Sequence, residues 1–142
     1  MGPELPAEEL FEPSSPLAHL LEATGPHPDP IAAARGLVAR LGEDEKVATL
    51  NAHPRIGERQ DRMSALSQAE QRDLAVASDL EHLNEEYEHK FGFRFVIFVN
   101  RRPRPEIAAE MRERMRRSRD QEMHAGLRAV VDIAEDRLRR AR

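Results

Sequence analysis

Phe91-Gly92-Phe93-Arg94-Phe95-Val96-Ile97-Phe98-Val99 is the stretch on which the fold class turns. Phe93, Phe95, Val96, Ile97, Phe98 and Val99 are strand-favouring residues, bounded by Gly92 and Asn100. A lone strand leaves its backbone donors and acceptors without a ladder. Either the chain dimerises through a sheet, or the stretch runs extended between helices with its backbone open to a ligand. The second solution is preferred. It makes the protein all-α, a single-domain bundle of about seven to eight helices with one extended segment near 91–99.

The flanks read as helices. Ser14 or Ser15 caps a short one with Pro16 in its first turn and Leu17, Leu20 and Leu21 on one face, ended by Gly25-Pro26. Asp29 caps the next, with Pro30 first, Ile31, Ala34, Leu37, Val38 and Leu41 at helical spacing, and Gly42 closing it. A third, about Glu43 to Ala52, has acids in its first turn and delivers His53 at its end. Ser67 and Glu70 are spaced as a capping box opening a helix through about Ala77, and Ser78 with Glu81 repeats the spacing for a helix over about 79–90. Two more follow, over about 105–118 and 120–140, the last with Leu127, Val130, Val131, Ala134 and Leu138 facing inward. Pro54 to Leu66 is the longest loop, a kind that in compact domains is usually functional or disordered. Residues 1–13, interrupted by Pro3, Pro6 and Pro13, form a flexible or loosely docked lead in which only Leu10 and Phe11 look able to dock. Residues 14–142 form the domain.

Composition narrows the function classes. A length of 142 residues fits one core, and 39% hydrophobic with 4% aromatic residues builds it from Leu, Ala, Val and Ile on amphipathic helices. The absence of cysteine removes disulfides, thiolate nucleophiles and thiolate zinc sites together. No apolar run approaches the ~20 residues of a membrane span and the first residues do not read as a signal peptide, so a soluble, cytoplasmic protein with no membrane partner is expected. The net charge of −4 is uneven, with 13 basic against 8 acidic residues over 101–142. Nucleic acid is argued against there, because Glu110 with Arg114 and Glu113 with Arg117 are spaced as intrahelical ion pairs on a solvated face and no aromatic is interleaved to stack bases. His82 and His89 lie among Glu81, Glu85, Glu86 and Glu88 without a metal-binding spacing, and no nucleophile elbow occurs.

Four features carry possible chemistry. His53, between a helix end and the Pro54 and Gly57 breaks, reads equally as an acid/base group titrating near neutrality or as a helix-terminal His set against the dipole. Glu70 and Gln71 need no role beyond the helix start, although the same start points amide donors at an anion. Arg137 shares the inward face of Ile133, either as a planar donor to a carboxylate or ureido group or as a snorkelling surface residue. Most side chains of Phe95–Val99 are core whatever their backbone does.

Taken in order, Asn51-Ala52-His53-Pro54-Arg55-Ile56-Gly57-Glu58, Ser67–Gln71, Leu83–Ile97 and Val131–Leu138 resemble the 2-oxo-4-hydroxy-4-carboxy-5-ureidoimidazoline (OHCU) decarboxylases of the ureide pathway of purine breakdown. The resemblance runs from about Leu10 to Leu138 and implies an all-helical carbon-carbon lyase. That enzyme converts OHCU to carbon dioxide and (S)-allantoin without a cofactor. It implies roles as well: His53, followed by Pro54, as the catalytic signature; Glu70 as its catalytic companion; Ser67 and Gln71 lining the pocket. Arg137 would bind substrate and offset developing charge, and the backbone of Phe95, Val96, Ile97, Phe98 and Val99 would hold the heterocycle. The expected partners are a small ureide and a second copy in a homodimer. The alternative is a non-enzymatic helical ligand-binding or interaction module.

Overall fold

The computed structural model describes residues 6–56 and 68–141, the side chains of 8 and 68–78 excepted. Its helices are α1 (Ala7–Leu10), α2 (Pro16–Thr24), α3 (Pro30–Leu37), α4 (Glu43–Asn51), α5 (Gln68–Phe91), α6 (Arg104–Arg114) and α7 (Arg119–Ala141), with a 3-10 turn at Val38–Arg40. The all-α class holds, and no strand occurs among the described residues. Among the described residues six helices reach eight residues and α1 is a single turn, so the expected seven to eight is slightly high.

The local signals at α2 and α3 act as read. Ser15 Oγ accepts from the Ala18 amide and Asp29 Oδ1 from the Ala32 amide, both at 3.1 Å, and Pro16 and Pro30 occupy first positions where no donor is lost. Two expectations are corrected. Gly42 does not close α3, which tightens into the 3-10 turn; instead it precedes α4, where the Glu45 carboxylate accepts from its amide at 2.9 Å. Nor does Ser78 start a new helix. Residues 68–91 contain neither Gly nor Pro, and the helical ladder runs through unbroken. The end of α5 is set by Gly92, whose φ of +83° and amide bond to the Glu88 carbonyl form a left-handed cap.

The core gathers on α7, whose Leu127, Val130, Val131 and Ala134 are buried while Leu138 packs at its margin. Helices α1, α3 and α4 pack on α7, and α6 packs on α5. Gly126 permits the α4 approach, since a Cβ there would lie 2.7 Å from Leu50 Cδ2. Leu10 and Phe11 are 1% exposed, so this part of the lead belongs to the core. Tyr87, Phe91, Phe93 and Phe95 form an aromatic cluster, with Tyr87 centroids 4.6 Å from Phe91 and 5.1 Å from Phe95.

One further correction concerns the basic C-terminal third. Arg114 is not on a solvated face: it is 4% exposed and its Nε donates to the wholly buried Glu122 at 2.8 Å, Glu110 being a weaker partner at 3.8 Å. Glu113 pairs with Arg116, not with Arg117. Helix periodicity does not reveal that Arg114 lies opposite a carboxylate eight residues on.

Candidate active site

His53 follows α4 directly, its amide bonded to the Leu50 carbonyl at 3.2 Å. Three side chains from elsewhere hold the turn. Arg94 Nη1 donates to the carbonyls of Asn51 and His53 at 3.0 and 2.9 Å, and its amide donates to Asn51 Oδ1, placing a cation on the helix C-terminus. Glu88 of α5 grips Arg55 through two bonds of 2.7 and 2.9 Å. Asn84 Nδ2 donates to the Ile56 carbonyl at 3.0 Å. His53 is buried, at 6% exposure.

That burial depresses the His53 pKa below its ordinary range, with the Arg137 charge adding to the effect and the Glu12 carboxylate opposing it. At neutral pH the ring is uncharged and able to accept a proton. Glu12 Oε1 stands 3.9 Å from His53 Nδ1 and accepts from Arg137 Nη2 at 3.2 Å, while Arg137 Nη1 donates to the Leu10 carbonyl at 2.9 Å. Arg137 is therefore not a free snorkelling side chain.

The extended segment is anchored through three of its carbonyls. Arg114 Nη1 donates to the Val96 carbonyl at 3.2 Å, and Arg102 Nη2 and Nε donate to those of Phe98 and Val99 at 2.8 and 3.2 Å. Arg114 also lies 4.4 Å over the Phe95 ring. Behind it, Glu122 Oε1 accepts from the Tyr87 hydroxyl at 2.8 Å, and burial together with this carboxylate pushes the phenol well above its usual range, so it stays a donor. The backbone N–H groups of Phe95, Val96, Ile97, Phe98 and Val99 and the carbonyls of Phe95 and Ile97 have no partner among the described residues. The segment ends in a turn closed by the Arg102 amide on Val99 O, with Asn100 and Arg101 at φ of 48° and 64°.

These elements enclose a cleft of about 480 Å³. Of the residues singled out from sequence, His53, Pro54, Arg137 and the run Phe95, Val96, Ile97, Phe98 and Val99 line it together. Ser67 lies outside the described residues; Glu70 and Gln71 have helical backbone in the first turn of α5, but their side chains lie outside the description. No three His, Asp or Glu side chains converge as metal ligands among the described residues.

Residues 7–139 match the OHCU decarboxylase family. The chain belongs to that family. A 2-oxo-4-hydroxy-4-carboxy-5-ureidoimidazoline decarboxylase of Haloferax volcanii is 33% identical over 141 residues, covering 92% of this chain and 83% of its own length. Two solved structures share the fold: an OHCU decarboxylase crystallised in the presence of (S)-allantoin (TM-score 0.72, 24% identity, 90% of this chain and 91% of that one), and an (S)-allantoin synthase (TM-score 0.66, 23% identity, 95% and 49%).

Sequence reasoning missed two residues of this OHCU decarboxylase family member that shape the cleft. Arg94 carried a signal, as the one charge inside a strand-like apolar run, which needs a partner when the run is buried. Glu12 carried a fainter one, as the carboxylate directly after the docking pair Leu10-Phe11.

Proposed function

We propose that the chain decarboxylates OHCU to (S)-allantoin and carbon dioxide in purine breakdown. The observation that carries this reading, beside family membership, is the buried imidazole of His53 sharing one cleft with Arg137 and with the Phe95–Val99 run, whose backbone N–H groups have no described partner. Breaking the bond to the carboxyl carbon leaves an electron pair that moves into the adjacent C=N system, whose ring nitrogen takes up a proton, and gives an enol. Loss of the enol hydroxyl proton and gain of a proton at the neighbouring ring carbon yield allantoin. One product enantiomer results when protonation is confined to one face.

His53 is assigned the hydroxyl proton as general acid/base. Glu70 orients that hydroxyl and tunes His53, and Arg137 offsets the developing negative charge. Pro54, Ser67, Gln71 and the Phe95–Val99 backbone fix the ring, its ureido and lactam groups matching the open N–H and C=O of Phe95 and Ile97. The chemistry has its own electron sink and is proposed to need no cofactor. The domain is read as residues 14–142, with Leu10 and Phe11 of the preceding lead packed on it, acting as a homodimer in the cytoplasm. No described helix is long and apolar enough to cross a membrane.

The test is whether purified protein accelerates loss of OHCU ultraviolet absorbance and yields (S)-allantoin alone, where the spontaneous reaction gives a racemate. His53→Gln, which keeps bulk and a hydrogen bond, should reduce kcat by at least about a hundredfold, the usual scale of acid/base catalysis. Wild-type protein that leaves the spontaneous rate and racemic product unchanged would remove the assignment. Light scattering checks the dimer.

A further inference from the structure

Glu12 belongs to no helix and lines no wall of the cleft, yet its carboxylate lies between the two cleft groups assigned to the chemistry. Oε1 is 3.2 Å from Arg137 Nη2 and 3.9 Å from His53 Nδ1, and the side chain is 21% exposed. Its backbone is fixed by the burial of Leu10 and Phe11 just before it and by the Ser15 amide, which donates to the Glu12 carbonyl at 2.9 Å. We propose that Glu12 is a positioning residue: it orients the Arg137 guanidinium toward the cleft and holds the neutral His53 with its proton on Nδ1, leaving Nε2 to exchange protons with substrate.

Two physical arguments support this. A guanidinium carries its N–H donors in a rigid plane, so fixing Nη1 on the Leu10 carbonyl and Nη2 on Glu12 sets the direction of the remaining donors before substrate arrives. A carboxylate facing one imidazole nitrogen favours the tautomer with hydrogen there, and it stabilises the ring as it becomes cationic. At 3.9 Å the second effect is electrostatic rather than a formed hydrogen bond. Among the described residues, the other charges around His53 are Arg94 on its carbonyl, Arg55 held by Glu88, and Asp136 paired with Arg140 across the cleft. None of these acts on the imidazole as the Glu12 and Arg137 charges do. The role in turnover rests on the activity proposed above, but the contacts do not.

The experiment therefore has two readouts on the full chain. The first is NMR of the ¹⁵N-labelled imidazoles, with His53 assigned from His53→Gln. Wild type should show His53 neutral with the proton on Nδ1, and Glu12→Gln should move its titration midpoint to lower pH, since the group removed is the one that raises it. The Glu9→Gln control, on the exposed side of the same lead, should not. The second is steady-state kinetics. Glu12→Gln retains an acceptor for Arg137 and should show chiefly an acid limb of kcat/KM displaced downward. Glu12→Ala loses both contacts and should in addition raise KM on the order of tenfold, as for one charge-assisted hydrogen bond. An Nε2-protonated His53, or a midpoint and an acid limb unmoved in Glu12→Gln, overturns the proposal. So does a loss of activity that follows reduced thermal stability alone. If the NMR shift appears and wild type has no decarboxylase activity, the positioning contact stands and the activity is what fails.

Discussion

Arg137 commits Nη1 to Leu10 and Nη2 to Glu12, which leaves its remaining N–H groups for a ligand. An ammonium cannot reproduce that division in one plane. Arg137→Lys should therefore impair both KM and kcat, on the order of tenfold or more in kcat/KM, whereas Arg139→Lys on the exposed side of α7 should leave kinetics at wild-type values. Equal, wild-type-like kinetics for the two would remove Arg137 from the site. His53 makes a pH prediction. Burial lowers its pKa, so between the folded value and the ordinary value of about 6.5 the unfolded chain binds the extra proton. The stability contributed by the neutral ring is full above about 6.5 and is lost as pH falls below it. Urea titrations at stepped pH should show a midpoint falling on the acid side of 6.5, and His53→Gln should flatten that slope. The acid limb of kcat/KM should also lie below 6.5. Of these residues, His53 and Arg137 were legible because each breaks an apolar or helical pattern. Glu12 was only faintly so: its place after Leu10-Phe11 marks it as near the core, but nothing in a Pro-broken lead marks what it meets across the fold.

At the scale of elements, the buried pair of Arg114 on α6 and Glu122 on α7 ties two helices to the extended segment through Val96. Removing one member leaves an uncompensated buried charge, so Glu122→Gln or Arg114→Met should cost about 3–5 kcal/mol in chemical denaturation. Arg114→Met should also raise KM, because the Val96 carbonyl loses its anchor. A cost near that of an exposed substitution would show the pair to be solvated. The caps at Ser15 and Asp29 were legible because a cap is a contact within three residues. The same signal misled at Ser78, where capping spacing occurs inside a run with no breaker, and at Gly42, where one glycine serves the helix after it and not the one before. The run from Phe93 to Val99 reads as a strand by propensity. Its real partners are arginine side chains from the following chain and α6, and no periodicity encodes them.

For the whole molecule, activity should survive exhaustive chelation, since the proposed electron sink is in the substrate itself; loss with EDTA and restoration by a divalent ion would overturn the cofactor-free reading. Phe11→Ala should cost about 3–5 kcal/mol for a large buried ring and, by loosening the neighbouring Glu12, should lower kcat/KM in protein that remains folded. Wild-type stability would show that the lead is dispensable. The joining of Leu10 and Glu12 to Arg137 spans 127 and 125 positions of sequence. A chain emerging from the ribosome thus presents His53 early and waits for α7 before the opposite wall exists. No nascent polypeptide short of α7 can turn over substrate, whatever helices it has already formed. A premature stop or a proteolytic clip ahead of residue 137 yields a partly helical product that is catalytically silent, and quality control meets it as an incomplete fold before metabolism meets it as an enzyme.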